Sequence, residues 1–242
     1  MQRWMLAVCV LVFASITLSA QDPAKPASNP TTTPKDKKDA GWQKRHATML
    51  ERAKAQPPDV LFIGDSITQG WEGPGRKVWE KHFAALKPLN LGISGDRTEH
   101  VLWRLGEGGA LAGYTPRAAM IMIGTNNTGS NSADQIAAGI EAIVKLLHSK
   151  HPQTKILLLG VFPRAEQPDN NLRKKIIEIN KTISKLDDGK LITYLDISDR
   201  FLGQDGKLTK DIMPDFLHLS EKGYTIWAEA IEPKLKELLG EK

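Results

Sequence analysis

Five short apolar runs punctuate the chain at wide intervals: residues 60–63, 89–91, 118–123, 155–161 and 191–196. Each stops at Gly, Pro, Asp or Ser, and the longer ones are apolar at consecutive positions rather than alternate ones. That is the pattern of a strand covered on both faces, as in a parallel sheet. Between these runs the spacing turns helical. Ser132-Ala133-Asp134-Gln135 reads as a capping box, followed by Ile136, Ile140, Ile143, Val144 and Leu147 on one helical face. Residues 171–186 and 220–239 have the same amphipathic character. Strand and helix in alternation predict an α/β chain: a three-layer α/β/α sandwich, flavodoxin-like, with a mostly parallel five-stranded sheet.

In such a sheet the ligand lies beyond the carboxyl ends of the strands. The first strand delivers Asp65-Ser66 to that edge, the second Gly92-Ile93-Ser94-Gly95, and the third Gly124-Thr125-Asn126-Asn127. Hydroxyl, backbone amide and carboxamide groups are thus expected side by side, although turns favour Gly and Asn for their own reasons.

The N-terminal residues follow a different rule. Arg3, an uncharged apolar stretch over residues 5–18 and the small pair Ser19-Ala20 predict an export signal over 1–20, cleaved after Ser19 or Ala20, with an uncleaved anchor as the alternative. The single cysteine, Cys9, lies inside it. The mature chain then has no disulfide, thiol nucleophile or thiolate metal site. Residues 21–40, with four prolines and no large apolar side chain, are expected to form a disordered linker, leaving 41–242 as one domain. A length of 242 residues at 40% hydrophobic suits a single core. The net charge of +5 is spread among acids without aromatic interleaving, which argues against a nucleic-acid face, and stable membrane insertion of the mature chain is not expected.

Two stretches carry candidate chemistry. Ser66 leaves the first strand at an abrupt turn, but the G-x-S-x-G elbow is absent because Thr68 replaces its second glycine. In "MPDFLHLSEKGY", residues 213–224, Asp215 precedes His218 by three positions and can hold the imidazole Nδ1–H, freeing Nε2 as a base. Alone, such a pair equally suits the start of a helix.

Together the blocks GDSIT (64–68), NLGISGD (90–96), GTNN (124–127) and DFLHL (215–219) resemble those of the SGNH, or GDSL, hydrolase superfamily. The stretches "GDRTEHVLWRL" and "IGTNN…GIEAIVKLL" are similar to the catalytic subunits of intracellular platelet-activating factor acetylhydrolase and their bacterial relatives. The resemblance covers about residues 59–239. It implies the SGNH hydrolase fold, with Ser66 as nucleophile, His218 as general base and Asp215 as its orienting acid. It also implies an oxyanion hole made by the N–H groups of Ser66 and Gly95 and the side chain of Asn126. No cofactor and no metal are implied, and a homodimer is. Two departures stand out: Ser94 occupies a position where relatives often have glycine, and the intracellular members lack an export signal.

The chemistry agrees with the resemblance. A serine hydroxyl needs a neighbouring base before it attacks a carbonyl, and the developing alkoxide needs fixed donors. Ile67, Thr125 and Leu217 are candidates to wall a small acyl pocket, or else belong to the core. Arg164 is a candidate contact for an anionic or polyol substrate, with a surface salt bridge as the alternative. Trp71 is a candidate sugar-stacking platform; Trp42, Trp79, Trp103 and Trp227 are assigned to the core or a helix face. His148 and His151 read as a helix end rather than a metal site, Gly106, Gly108 and Gly109 fail the dinucleotide fingerprint, and Asp65 is read as a structural residue of its turn.

The leading expectation is an exported serine esterase that removes a short acyl group, acetyl above all, from a carbohydrate or another small ester. A phospholipid acetylhydrolase of the platelet-activating-factor type or a lysophospholipase is the alternative within the enzymes. A non-catalytic carbohydrate-binding module is the alternative outside them.

Overall fold

The computed structural model describes residues 28–241, so the expected export signal, with Cys9, lies outside the described residues. Five strands form one sheet: β1 (Val60–Gly64), β2 (Pro88–Asn90), β3 (Ala118–Met122), β4 (Lys155–Leu159) and β5 (Ile192–Leu195). Their order is β2-β1-β3-β4-β5 and every pairing is parallel, with Val60 opposite both Pro88 and Ala118 and Leu158 opposite Tyr194. The third and fourth apolar runs outlast their strands because Ile123 and Val161, already past the ladder, remain in the core.

Alternate strand residues feed two cores, which is why the runs are apolar throughout. Leu61, Ile63, Ala119, Ile121, Ile156 and Leu158 face one layer, built from α1 (Ala40–Ala55), α4 (Thr98–Leu105), α5 (Ala133–Lys150) and α6 (Asn171–Ile183). Val60, Phe62, Met120, Met122, Leu157 and Leu159 face the other, built chiefly from α3 (Arg76–His82) and α7 (Glu221–Leu239). The capping box at Ser132 and Gln135 forms as expected, each side chain meeting the other's backbone N–H. Helix α1 carries little apolar signal because its buried stripe, Trp42, His46, Met49 and Ala53, holds one large aliphatic side chain and a histidine, set among lysine, arginine and glutamate.

The chain crosses from β1 to β2 on one side and to β3 on the other. A topological switch point therefore opens at the carboxyl ends of β1 and β3, the place where such sheets hold ligands. The sheet edge carries Ser66 at the start of the short helix α2 (Ser66–Gln69), Gly95 beyond β2 and Asn126 beyond β3.

The linker expected to lack structure over 21–40 is, from Asn29 on, laid down against the domain. Asn29 Oδ1 accepts from the Thr31 N–H at 3.1 Å, Thr31 is fully buried, and its carbonyl accepts from Thr98 Oγ1 at 3.0 Å. Composition missed this because the segment is anchored by backbone and hydroxyl hydrogen bonds, not by large apolar side chains.

Candidate active site

Ser66 sits where β1 gives way to α2, and Asp65 caps that helix, its Oδ1 accepting the Ile67 N–H at 3.0 Å. The turn points the Ser66 hydroxyl at the loop ahead of α7. His218 Nε2 lies 2.9 Å from Ser66 Oγ, and His218 Nδ1 lies 2.6 Å from Asp215 Oδ2. The other carboxylate oxygen accepts the backbone N–H groups of His218 at 2.7 Å and Leu217 at 3.1 Å. Partial burial pushes the Asp215 carboxyl up, but the His218 side-chain and backbone hydrogen bonds and the imidazole charge outweigh it and hold it below the usual aspartate value. An ionised Asp215 selects the tautomer with the proton on Nδ1, so Nε2 is the free acceptor facing Ser66. Phe216, between them, adopts a left-handed φ of 58°, which lets a four-residue turn present both side chains to one side. Its carbonyl accepts the Ala165 N–H at 2.9 Å.

Opposite the triad lies a set of donors. Gly95 adopts φ +70° in the turn closed by the Asp96 N–H on the Ile93 carbonyl. Among the described residues, neither the Ser66 nor the Gly95 N–H donates to another protein group. Asn126 Nδ2 spends one hydrogen on the Asp96 carbonyl at 2.9 Å and keeps the second. Peptide N–H groups left unpaired at an exposed turn suit an incoming oxyanion.

Beneath this turn is a buried charge cluster that the sequence reading did not single out. The Asp96 side chain, with no exposed surface, accepts from Trp42 Nε1 at 2.6 Å and from Arg104 Nε at 2.8 Å, and Arg104 is equally buried. The spacing of Asp96 and Arg104 across a predicted turn carries no recognisable signal, since each is also an ordinary surface residue type. Asp65 is fully buried as well; its Oδ2 has no hydrogen-bond partner. Burial, helped by the nearby Asp96 charge, pushes its carboxyl up to about 7, against the pull of the Ile67 N–H and His218.

The structure brings together Ser66, Asp215 and His218, and joins Gly95 to Asn126 through Asp96. Arg164 also reaches this edge: its Nη1 donates to the carbonyl and hydroxyl of Thr125 at 3.2 and 3.3 Å rather than to a carboxylate. Partial burial lowers its pKa, while the charges of Asp65 and Asp215 pull the other way. Ile67 and Thr125 are buried and Leu217 is half-exposed beside His218. Trp71 is not where a sugar platform requires it. It is wholly buried, 4.6 Å from the Tyr224 ring and 4.8 Å from the Trp227 ring, and it packs with Phe62, Trp79 and Phe83. Burying about 200 Å² of indole at about 25 cal/mol per Å² is worth about 5 kcal/mol, several times what a stacked ring returns at a surface. Core packing therefore claims this residue. His151 caps α5 and its Nε2 lies 3.0 Å from the Leu111 carbonyl, and among the described residues no three His, Cys, Asp or Glu side chains group to hold a metal.

Comparison with known proteins gives a consistent picture. The family model of GDSL-like lipase/acylhydrolase proteins matches residues 62–226. The alpha2 subunit of rat platelet-activating factor acetylhydrolase IB is 38% identical over 224 residues, covering 92% of this chain and 95% of the relative. The human alpha1 subunit is 37% identical over 217 residues, covering 89% and 92%. Among solved structures, a GDSL-like lipase from Bacteroides thetaiotaomicron superposes with a TM-score of 0.66 at 25% identity, over 80% of this chain and 97% of that one. The acetylxylan esterase Axe2 from Geobacillus stearothermophilus shares the fold at a TM-score of 0.59 and 18% identity, over 77% and 96%.

Proposed function

This chain belongs to the GDSL-like lipase/acylhydrolase family, and from that membership and the site geometry we propose that it is a serine esterase that removes a short acyl group, acetyl above all, through an acyl-serine intermediate. The observation that carries the proposal is the unbroken relay from Ser66 Oγ to His218 Nε2 and from His218 Nδ1 to Asp215, at 2.9 and 2.6 Å.

In this mechanism His218 Nε2 takes the hydroxyl proton as Ser66 Oγ bonds to the ester carbonyl carbon. The carbonyl oxygen becomes an oxyanion held by the Ser66 and Gly95 N–H groups and the free Asn126 hydrogen. The tetrahedral centre collapses, the C–O bond to the alcohol breaks, and the leaving oxygen takes the proton from His218. Water then gives a proton to His218 and its oxygen to the acyl carbon; the acid departs and the proton returns to Ser66 Oγ. Asp215 stays ionised throughout and stabilises the imidazolium.

The relatives' names support acetyl as the acyl group. The open setting of the triad supports a bulky alcohol, since the His218 and Asp215 side chains keep 45% and 56% of their surface exposed. For the alcohol we favour a carbohydrate or small ester in an exported setting, on the strength of the N-terminal signal pattern. A glycerophospholipid acetyl ester is the second reading, favoured by 38% identity to platelet-activating factor acetylhydrolase subunits. A p-nitrophenyl ester series from acetate to octanoate, run with the mature chain and with Ser66→Ala, tests the core of the proposal. Turnover should fall steeply beyond propionate and vanish in the variant. Absence of Ser66-dependent turnover on any ester overturns the esterase reading in favour of a binding module. Acetylated oligosaccharide and 2-acetyl glycerophospholipid, offered in parallel, separate the two alcohols.

A further inference from the structure

The segment over residues 29–38 runs along the domain like a strap, and its course ends beside the oxyanion turn. Its far end is locked: Thr31 fits a notch that only a glycine leaves open, because a Cβ on Gly139 would meet the Thr31 carbonyl at 2.8 Å. Further on, the Lys35 N–H donates to the Glu99 carbonyl at 3.0 Å, and Gln43 Nε2 donates to the Lys37 carbonyl at 2.6 Å. These bonds fix the backbone on both sides of Lys37. The Lys37 ammonium then donates to the Gly95 carbonyl at 2.7 Å and lies 3.4 Å from Asp96 Oδ1.

Charge balance alone does not account for Lys37. Asp96 is already neutralised by the equally buried Arg104 and receives Trp42 Nε1 as well, and the shorter Lys37 contact is to the Gly95 carbonyl, not to the carboxylate. The turn is also held by the Asp96 N–H on the Ile93 carbonyl and the Ser94 N–H on Gln69 Oε1 at 2.7 Å, but Gly95 itself is exposed with a left-handed φ, and among the described residues beyond its chain neighbours the Lys37 Nζ is the one atom within 4 Å of where its side chain would stand. We propose that Lys37, delivered by the strap, is a positioning residue of the oxyanion hole, holding the Gly95 turn so that its free N–H stays aimed with those of Ser66 and Asn126. The inference rests on the esterase reading. Loss of Lys37 lets the turn rock about its αL residue, and a donor displaced by an ångström weakens the transition state far more than the bound substrate.

The test compares wild type, Lys37→Met and Lys37→Arg in the mature chain on p-nitrophenyl acetate, with thermal melts alongside. Lys37→Met should lower kcat about tenfold or more with KM within about twofold and an unchanged Tm, and Lys37→Arg, which can still reach the Gly95 carbonyl, should recover most of it. Should Lys37→Met not fold, Lys37→Gln takes its place with the same expectation. The proposal is overturned if kcat of the uncharged variant stays within about twofold of wild type, if Lys37→Arg fails to restore it, or if the loss tracks a fall in Tm. Wild type without Ser66-dependent turnover removes the esterase reading and the inference with it; an active wild type with an indifferent Lys37 removes the inference alone.

Discussion

Asp65 is one of several fully buried polar residues, and its burial has a measurable sign. Its carboxyl is fully buried with one oxygen unpartnered, and its pKa rises from 3.8 to about 7. A group whose native pKa is raised contributes stability that is fully present below its unfolded value and is lost as pH climbs through the native one. Wild-type stability should therefore carry a falling component between about pH 4 and pH 7. Asp65→Asn keeps an oxygen for the Ile67 N–H and cannot ionise. Its melting temperature, followed from pH 5 to pH 8, should fall less than that of wild type; equal slopes would show that Asp65 does not titrate in this range. Nothing in "GDSIT" shows that Asp65 is sealed beneath Ser66, because the charged groups that act on its carboxyl, Asp96 and His218, arrive from distant loops. The roles expected of Ser66, Asp215 and His218, by contrast, came from the family resemblance carried by short blocks, and the structure brings the three side chains together.

At the scale of elements, helix α2, which carries Ser66, has four residues and cannot hold itself in place. It is held from α7: the Tyr224 hydroxyl donates to the Ile67 carbonyl at 2.6 Å, and the Tyr224 ring packs on Trp71. Tyr224→Phe removes only that hydroxyl and leaves a buried carbonyl without its donor, which should cost about 1–3 kcal/mol in urea unfolding. A cost below about 0.5 kcal/mol would mean that water or a backbone shift replaces the bond. The long elements were legible from periodicity, as α5 shows, because a capping box and a stripe of isoleucines are local signals. The short ones were not. Helices α3 and α4 span seven and eight residues, too few for a period to declare itself, and exist because the sheet and the flanking helices bury their inner faces.

At the scale of the whole molecule, the buried Asp96–Arg104 ion pair ties the Gly95 turn to the helical layer behind it. Asp96 and Arg104 are both fully buried, and Arg104→Met would leave the carboxylate without its buried partner, with only the more exposed Lys37 ammonium 3.4 Å away, at a cost of about 3–5 kcal/mol. Adding Asp96→Asn to that variant should return a large part of the loss, and a double variant as unstable as the single one would show that packing of the arginine stem, not charge, is what matters. The sequence by itself determined the sheet, its parallel sense and the residue types that arrive at the carboxyl ends of its strands, because apolar runs, helical stripes and turn chemistry are written within a few neighbouring positions. Only the tertiary structure decided that Trp71 is core and not platform, that Asp65 and Asp96 are dry, and that a strap bearing two prolines reaches the Gly95 turn through Lys37. Those outcomes depend on which distant segments close over a residue, and burial and hydrogen-bond partnership of that kind have no signature in a residue's own sequence neighbourhood.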